Sequence, residues 1–323
     1  MAGRRTIGVD MGGTKLLAGA VDTGLSVHHR VQRTLTGLDQ SAVLDAAVEA
    51  VEEARESAGG EIAAVGFGIP CLMDQRSGRG VIAVNLPLAN VPFGAIMAER
   101  LGLPVFVDND ANMAALAEHR AGAARGANEA VIMTIGTGIG GGLILRGELY
   151  RGGIGAAGEL GHVVIDKDGP PCQGNCPNHG CVESLASGTA LAREALRVAQ
   201  ERPDSGLGRA LAEGRELAGP LVTELAHDGD ETAVEVLRTI GSNLGVAIAS
   251  FVNIFNPEVV VIGGGVIAAG ELLLAPARET VAARALPPSK DEVRIVAAQF
   301  GVEAGMVGAA ALAFDGLRER SAG

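Results

Sequence analysis

Residues 6–21 read TIGVDMGGTKLLAGAV, an apolar run followed by a glycine-containing turn and a second apolar run. Because apolar character resumes directly after the turn, this stretch predicts a β-hairpin. The pattern begins again at Glu129, where AVIMTI is followed by the glycine turn GTGIGGG and by LILRGELY, which we interpret as strand, turn and strand. Such a repeat indicates that the two halves of the chain are variations on one lobe.

Helical patterns follow each predicted hairpin. In the first half they cover Ser41–Ala58 and Ala111–Ala121, with a strand predicted at Ile62–Gly68 between them. In the second half they cover Ser187–Gln200 and Thr232–Phe255. Apolar positions recur at helical spacing in these segments, and the alternation of strands with helices predicts an α/β protein.

Length and composition favour two lobes. With 323 residues, of which 47% are hydrophobic, the chain is long enough for two lobes that each bury a core. We expect a smaller α/β lobe formed by residues 1–121 plus 301–323. We expect a larger α/β lobe formed by residues 122–300.

Charge and cysteine usage exclude several classes of function. The formal net charge is −12 and no basic run compensates it, so neither nucleic acid nor an anionic membrane is expected as a partner. No run of about 18 apolar residues could span a bilayer, and the segment before Thr6 leaves no room for a signal peptide. Three of the four cysteines fall within ten residues, which suits a metal cluster better than a secreted disulfide framework. We therefore expect a cytoplasmic protein.

Three glycine turns, at Gly12–Gly13, Gly136–Gly142 and Gly263–Gly265, each follow an apolar run. Glycine allows backbone N–H groups to approach and surround a phosphate. The second turn has the G-x-G-x-x-G spacing of dinucleotide-binding proteins, but a strand rather than a helix is predicted after it. A Walker A loop is excluded because the chain has no Gly-Lys pair. Three such turns in duplicated halves predict a site for nucleotide phosphates.

The first turn also carries side chains that suit phosphoryl transfer. Asp10, Thr14 and Lys15 supply an acceptor, a hydroxyl and a cation, which together can organise Mg²⁺ and a transferring phosphoryl group. Taken alone, these residues are explained equally well if Asp10 only caps the turn.

The sequence DMGGTK at residues 10–15 resembles the first phosphate motif of the ROK family, which includes repressors, open reading frames and kinases. Four further segments resemble motifs of this family in the same order. VDNDAN at 107–112 is similar to its catalytic segment and residues 135–142 to its second phosphate motif, while ELGH at 159–162 is similar to its sugar motif and residues 172–183 to its zinc signature. The resemblance covers nearly the whole chain and implies an actin-like (ribonuclease H-like) two-lobed sugar kinase fold with a cleft between the lobes.

This resemblance implies an ATP-dependent glucokinase of glycolysis and carbohydrate metabolism, which transfers the γ-phosphoryl group of ATP to the 6-hydroxyl of glucose. The implied general base is Asp110, which follows the predicted strand PVFV at a helix N-terminus, where a negative charge is favoured. The implied sugar ligands are Asn109, Asp110, Glu159, His162 and Glu183. The implied nucleotide and Mg²⁺ residues are Asp10, Gly12, Gly13, Thr14, Lys15, Gly136, Thr137, Gly138, Gly264 and Gly265.

A structural zinc site is implied by His162, Cys172, Cys176 and Cys181, a Cys3His set that suits tetrahedral coordination. The cysteine spacing is C-x3-C-x4-C, whereas the family's run is C-x-C-G-x-x-G-C, so Cys172 lies two residues further upstream than expected. The metal would aim His162 and Glu183 at the sugar. Because the phosphate turns are remote in sequence from this loop, we expect zinc removal to weaken glucose binding more than nucleotide binding.

Several alternatives stay open within the same family. The substrate could be another hexose or N-acetylhexosamine, namely N-acetylmannosamine, N-acetylglucosamine, fructose or allose. A polyphosphate donor would favour a basic groove, yet the chain has only three lysines. A sugar-responsive repressor would need a helix-turn-helix domain before Thr6, and the acidic net charge opposes DNA binding. The expected partners are the hexose and further copies of the chain in a homodimer or homotetramer, with no nucleic acid and no membrane.

Overall fold

The structure of the chain, a computed structural model, describes residues 4–74, 79–83 and 86–322. The strands are, in chain order, β1 (Arg4–Met11), β2 (Lys15–Asp22), β3 (Val27–Thr34), β4 (Glu61–Ile69), β5 (Cys71–Asp74), β6 (Arg79–Ala83), β7 (Ala89–Val91), β8 (Val105–Asn109), β9 (Ala130–Ile135), β10 (Ile139–Leu145), β11 (Glu148–Leu149), β12 (Val259–Gly263) and β13 (Arg294–Ala297). The helices are α1 (Gln40–Ser57), α2 (Phe93–Leu101), α3 (Asp110–Ala121), α4 (Val182–Ala186), α5 (Gly188–Glu201), α6 (Gly206–Ala212), α7 (Gly219–His227), α8 (Glu231–Phe255), α9 (Glu271–Arg284), α10 (Ser289–Glu292) and α11 (Ala304–Ala322). Short 3-10 turns cover Leu160–His162, Gly265–Ala269 and Gly301–Glu303.

The hairpin predicted at residues 6–21 is confirmed as β1 and β2, which pair antiparallel with Met11 opposite Leu16. These strands belong to a five-stranded sheet with the order β3-β2-β1-β4-β8. β4 lies parallel to β1 and β8 lies parallel to β4. The carboxyl ends of β1 and β8 therefore lie at the same edge of this sheet.

The predicted restart at Glu129 is confirmed by a second five-stranded sheet, whose order is β11-β10-β9-β12-β13. β9 lies between β10 and β12 in this sheet, just as β1 lies between β2 and β4 in the first sheet. β12 pairs parallel with β9 and with β13, which matches the parallel pairs of the first sheet. The sheet β5-β6-β7 is a small antiparallel addition.

The segment LILRGELY was predicted as one strand, and this prediction is wrong. The structure has a hairpin there, in which β10 and β11 pair antiparallel around Arg146 and Gly147. Both residues have positive φ angles, 57° and 76°, as the type I′ hairpin turn requires. β10 also begins at Ile139, inside the stretch that the sequence analysis assigned to the glycine turn.

Local sequence explains where the main helices begin and end. α1 follows Asp39, whose carboxylate accepts the N–H of Ala42 at 2.9 Å, and α5 follows Ser187, whose hydroxyl accepts the N–H of Ala190 at 3.1 Å. α8 ends where Asn256 adopts the left-handed conformation. α6, α7 and α9 were not predicted from the sequence: glycine or proline stands in the first turn of α6 and α7, and Pro276 lies inside α9.

The chain divides into two compact units, one comprising residues 1–126, 142–158 and 300–323 and the other residues 127–141 and 159–299. The lobe boundaries predicted after residues 121 and 300 stay a prediction, and their terminal residues Met1 and Gly323 lie outside the described residues. Within the described residues, every helix is too short or too polar to span a lipid bilayer.

The core of the first unit lies on both faces of its sheet. On one face, Ile7 and Val9 of β1 are wholly buried in a cluster with α1 and α2, where the rings of Phe67 and Phe93 meet edge to face at 5.1 Å. On the other face α11 packs on β1 and β4, and the buried Thr6 hydroxyl donates to the carbonyl of Ala310. This packing brings the N-terminus of α11 to the carboxyl end of β1.

The second unit buries the strands β9 and β12 beneath helices. Every residue of β12 is buried, as a strand covered on both faces requires. The long helix α8 packs along α9 and also contacts α4, α5 and α7. This helical layer holds α4 and α5 in the positions from which they contact the functional residues of the unit.

Candidate active site

The first phosphate turn connects β1 to β2 in the first unit. The N–H of Gly12 donates to the carbonyl of Lys15 at 2.8 Å and closes the turn. The N–H of Leu35 donates to the carbonyl of Thr14, also at 2.8 Å, and anchors the turn from outside. Thr14 and Lys15 are exposed, whereas the next residue, Leu16, is wholly buried. The turn is thus fixed at its base and presents polar groups to solvent, as a phosphate site requires.

Asp10 lies near the end of β1, against the N-terminus of α11. A Cβ atom at Gly305 would lie 2.5 Å from the Asp10 carboxyl carbon, so only glycine leaves room for this carboxylate. Burial and, to a smaller extent, the neighbouring Asp110 raise the pKa of Asp10 to about 7, although Lys15 opposes the rise. A buried carboxylate with a second carboxylate nearby favours a bound cation, so Asp10 fits Mg²⁺.

The catalytic segment runs from the end of β8 into α3. The Oδ1 atom of Asn109 accepts the N–H groups of Ala111 at 2.9 Å and Asn112 at 3.2 Å, which makes Asn109 the N-cap. Its Nδ2 atom donates to the carbonyl of Cys71 at 3.4 Å. Because the cap occupies the Asn109 oxygen, the amide N–H groups are the part of this side chain that suits a sugar hydroxyl. The role of Asn109 as a sugar ligand stays a prediction.

Asp110 is the first residue of α3, where the helix N-terminus favours a carboxylate. Its Oδ1 atom accepts the N–H of Ala111 at 2.9 Å. The effect of Asp110 on the pKa of Asp10 places the two carboxylates in one electrostatic neighbourhood. The structure therefore brings together the predicted base and the predicted Mg²⁺ residue.

A buried ion pair that was not predicted from the sequence lies next to this segment. The guanidinium of Arg151 donates from Nε to Oδ2 of Asp108 at 2.6 Å, and Asp108 has no exposed surface. The other oxygen of Asp108 accepts the N–H of Asn109 at 2.7 Å and the Nδ2 of Asn112 at 3.0 Å. In the sequence, the only signal was an acidic residue at the end of a predicted strand, within the segment VDNDAN.

The second and third phosphate turns are adjacent in the second unit. The N–H of Gly136 donates to the carbonyl of Gly138 at 2.9 Å, and the N–H of Gly188 donates to the carbonyl of Gly136 at 2.8 Å. The N-terminus of α5 therefore adjoins the second turn, which favours an anion there. Gly264 has a φ of 86°, and a Cβ atom on it would lie 2.4 Å from the carbonyl oxygen of Ile135. The backbone of Gly264 thus lies close to that of Ile135, where the parallel strands β9 and β12 end.

The predicted sugar residues of the second unit lie around the beginning of α4. The Nε2 atom of His162 is 3.8 Å from a carboxylate oxygen of Glu159. Oε2 of Glu183 accepts the N–H of Ile139 at 2.8 Å, so this side chain braces the second phosphate turn. Partial burial is the main cause of a raised pKa at Glu159. His162 lowers this pKa and Glu183 raises it further. These acceptor and imidazole groups suit the hydroxyl rim of a pyranose, and their contacts with sugar stay predictions.

The implied zinc ligands lie together. One donor atom from each of His162, Cys172, Cys176 and Cys181 lies within 4.8 Å of every other. Nδ1 of His162 is 3.5 Å from Sγ of Cys172, and the Sγ atoms of Cys176 and Cys181 are 3.9 Å apart. Tetrahedral zinc places such atoms about 3.5–3.8 Å apart, so the set fits zinc. Cys172 belongs to the cluster despite its shifted spacing, and Nδ1 is the histidine nitrogen that faces the thiols.

The metal loop, residues 172–181, which carries the three clustered cysteines, also contacts the second phosphate turn. Nε2 of Gln173, the residue after Cys172, donates to the carbonyl of Thr137 at 3.3 Å and to the hydroxyl of Ser187 at 3.2 Å. The hydroxyl of Thr189 donates to the same Thr137 carbonyl at 2.9 Å. This loop therefore contacts the second phosphate turn although the two are remote in sequence, and the expectation that zinc removal weakens glucose binding more than nucleotide binding stays a prediction. No local pattern in the sequence signals these contacts.

Comparison with known proteins agrees with this geometry. The model of the ROK family matches residues 6–315. A protein named Glucokinase from Thermotoga maritima is 38% identical over 322 residues, which cover 99% of this chain and 99% of the relative.

Solved structures give the same result. A ROK family glucokinase from Streptomyces griseus, in complex with glucose and AMPPNP, superposes with a TM-score of 0.85 at 36% identity and covers 96% of this chain and 99% of its own. A ROK hexokinase from Thermus thermophilus gives a TM-score of 0.79 at 36% identity, with 98% of this chain and 99% of its own covered. The actin-like α/β fold expected from the sequence is confirmed.

Proposed function

Because this chain belongs to the ROK family, we propose that it is an ATP-dependent glucokinase, a hexokinase-type phosphotransferase that converts ATP and glucose into ADP and glucose 6-phosphate. Similarity extends over nearly the full length of a relative named Glucokinase and of a structure that holds glucose and AMPPNP. Its place is in carbohydrate metabolism, at the entry to glycolysis.

The observation that carries the proposal is the pair of carboxylates, Asp10 and Asp110, beside the first phosphate turn. Phosphoryl transfer to a hydroxyl needs a group that accepts the hydroxyl proton and a group that holds a cation at the phosphates. Asp110 stands at a helix N-terminus, and its charge raises the pKa of Asp10. The pair therefore supplies both groups within one unit.

In the proposed reaction Asp110 accepts the proton of the glucose 6-hydroxyl as that oxygen bonds to the γ-phosphorus of ATP. The bond from the γ-phosphorus to the bridging oxygen breaks, and ADP leaves with its electron pair. A carboxylate base of this kind contributes roughly 10²- to 10⁴-fold to the rate. Asn109, Glu159, His162 and Glu183 hold the sugar in position.

The remaining residues hold the donor. Gly13 offers a backbone N–H group and Lys15 an ammonium group to the phosphates, in a turn that the Gly12 N–H closes. The backbones of the second and third turns offer further N–H groups at residues 137–138 and 264–265. Asp10 and Thr14 would hold Mg²⁺, whose chemistry there is neutralisation of phosphate charge. His162 and the three clustered cysteines would hold zinc, which supplies a cross-link within the loop.

The setting of the enzyme is also a proposal. None of the four cysteines forms a disulfide, and ATP is abundant in the cytoplasm, so we place the enzyme there. The net charge of −12 supports the absence of a nucleic-acid partner. A homodimer or homotetramer is the assembly that we expect.

A substrate panel tests the proposal. Purified protein is assayed with Mg²⁺ and ATP, GTP or polyphosphate against glucose, fructose, allose, N-acetylglucosamine and N-acetylmannosamine. The proposal predicts the highest kcat/KM for ATP with glucose. A higher value for an N-acetylhexosamine would contradict the substrate and keep the kinase, whereas a higher value for polyphosphate would contradict the donor.

A further inference from the structure

The ion pair between Arg151 and Asp108 lies beside the proposed base, and the reaction itself does not use it. Asp108 is wholly buried, and about a third of the Arg151 side chain is exposed. The Asp108 carboxylate accepts three hydrogen bonds, from Arg151, from the backbone of Asn109 and from the side chain of Asn112. Both oxygens are therefore occupied, as a buried carboxylate requires.

The charges around this pair are mainly negative. Asp10 and Asp110 interact with each other, and both Asp110 and Asp108 raise the pKa of the buried Cys71 thiol, after burial itself, to about 12. A third carboxylate in such a region must be balanced by a cation. Arg151 is the partner that the structure gives to Asp108. Its removal would leave Asp108 buried and unpaired next to the base.

The pair also joins two segments that both carry predicted substrate residues. Asp108 fixes the N-cap Asn109 and the first turn of α3, in which Asp110 stands. Arg151 follows the β10–β11 hairpin and begins a glycine-rich stretch that leads to Glu159. Its carbonyl accepts the N–H of Ala157 at 3.2 Å, which folds that stretch back on itself.

We propose that Arg151 is a positioning residue for phosphoryl transfer: it holds Asp108, and through Asp108 it fixes the first turn of α3 and thus the carboxylate of Asp110. This rests on the proposed function, because positioning matters only if Asp110 acts on a hydroxyl. A base displaced by about 1 Å can cost on the order of 10²-fold in rate. The role therefore affects kcat more than the KM for ATP.

The test compares Arg151→Lys and Arg151→Met with Arg120→Met. Arg120 is a matched control, since it also stands in the first unit and pairs with an aspartate, Asp315, at 2.8 Å, yet its pair lies at the far end of α3. Lysine keeps the charge but loses the planar fork. We expect kcat for glucose to fall by about 10-fold in Arg151→Lys and about 100-fold in Arg151→Met, with the KM for ATP within about twofold and Arg120→Met unchanged.

The double variant Asp108→Asn, Arg151→Met separates positioning from simple stability. Asparagine keeps an oxygen for the N–H groups of Asn109 and Asn112 but removes the unpaired charge. We expect the kcat of the double variant to be at least about 10-fold higher than that of Arg151→Met. The proposal is overturned if Arg151→Lys keeps kcat within about twofold of wild type, or if the kcat losses disappear when rates are divided by the folded fraction.

Failure of the proposed function would look different, because wild-type protein would then form no glucose 6-phosphate. The same variants are in that case compared on the hexose that the wild type does phosphorylate. If there is none, backbone hydrogen exchange at residues 109–112 decides. Faster exchange in Arg151→Lys than in Arg120→Met supports the part of the proposal in which Arg151 holds the first turn of α3, and equal exchange in both overturns it.

Discussion

In the first unit the functional carboxylates stand at the ends of regular elements, Asp10 near the end of β1 and Asp110 at the start of α3. In the second unit the predicted sugar and metal residues between Glu159 and Cys181 lie in a segment whose only regular structure is one short 3-10 turn and two isolated bridges. A packed sheet and helix termini fix the first set. Side-chain contacts and a metal fix the second, so the two halves should respond differently to substitution and to chelation.

The largest effect is expected in the first unit, from Asp110→Asn. Asparagine keeps the size of the side chain and can still accept the N–H of Ala111, but it cannot take a proton from the sugar. We expect kcat to fall by roughly 10²- to 10⁴-fold, with glucose binding and thermal stability nearly unchanged. Steady-state kinetics and calorimetric titration with glucose measure this. Asp45→Asn, which breaks the exposed ion pair with Arg100, is the control. Near-normal turnover in Asp110→Asn would show that another group takes the proton.

Loss of the metal should be the next largest effect, and it belongs to the second unit. Cys176→Ser removes one of the four clustered ligands, so we expect zinc content to fall and kcat/KM for glucose to drop by about 10- to 100-fold. Because Gln173 and Glu183 contact the second phosphate turn, nucleotide affinity should fall as well. Metal analysis and titration with a non-hydrolysable nucleotide measure both. His179→Gln, outside the cluster in the same loop, should change neither, and full zinc content with full activity in Cys176→Ser would refute the site.

Gln173→Ala sharpens the comparison, because it cuts the link between loop and turn without removing a ligand. A neutral hydrogen bond contributes about 1 kcal/mol, so the Kd for nucleotide should rise by about fivefold. Zinc content and the Kd for glucose should stay at the wild-type level. Asn175→Ala, an exposed position in the same loop, serves as the control. An unchanged nucleotide Kd would show that the contact does not support the turn.

The smallest effect is one on stability, and it concerns Asp10. Its folded pKa of about 7 lies above the ordinary value of 3.8, so between these values the folded protein binds the proton that the unfolded chain has lost. The free energy of unfolding therefore falls as pH rises from about 4 to 7. Asp10→Asn removes this pH-dependent fall in the free energy of unfolding. In the absence of Mg²⁺, the Tm of the variant should exceed that of wild type by several degrees at pH 8 but not at pH 4. Equal Tm differences at the two pH values would argue against the raised pKa.

Much of the regular structure could be predicted from the sequence. Apolar runs around Gly12–Gly13 and Gly136 predicted both hairpins, and apolar positions at helical spacing predicted the main helices. The metal cluster was also predictable, because Cys176 and Cys181 keep the family spacing. The hairpin at Arg146 was not, since a non-glycine residue with positive φ leaves no clear signal in one sequence.

The contacts that support the site could not be predicted. Arg151 is 43 residues from Asp108, and Gln173 is 36 residues from Thr137. Both contacts arise because irregular segments pass over elements that are placed by tertiary packing. Local periodicity carries no information about such contacts, so charged and amide side chains in loops were interpreted only where a motif contained them.

The most direct test of the central claim is phosphorus NMR of a reaction that contains purified zinc-loaded protein, Mg²⁺, ATP and glucose. The proposed function predicts that the γ-phosphate signal of ATP is lost in step with the appearance of ADP and of a phosphate ester at the 6-position of glucose. It also predicts that Asp110→Asn abolishes both changes on the same time scale. Formation of ADP with free phosphate and no sugar ester, or an ester at another hydroxyl, would contradict it.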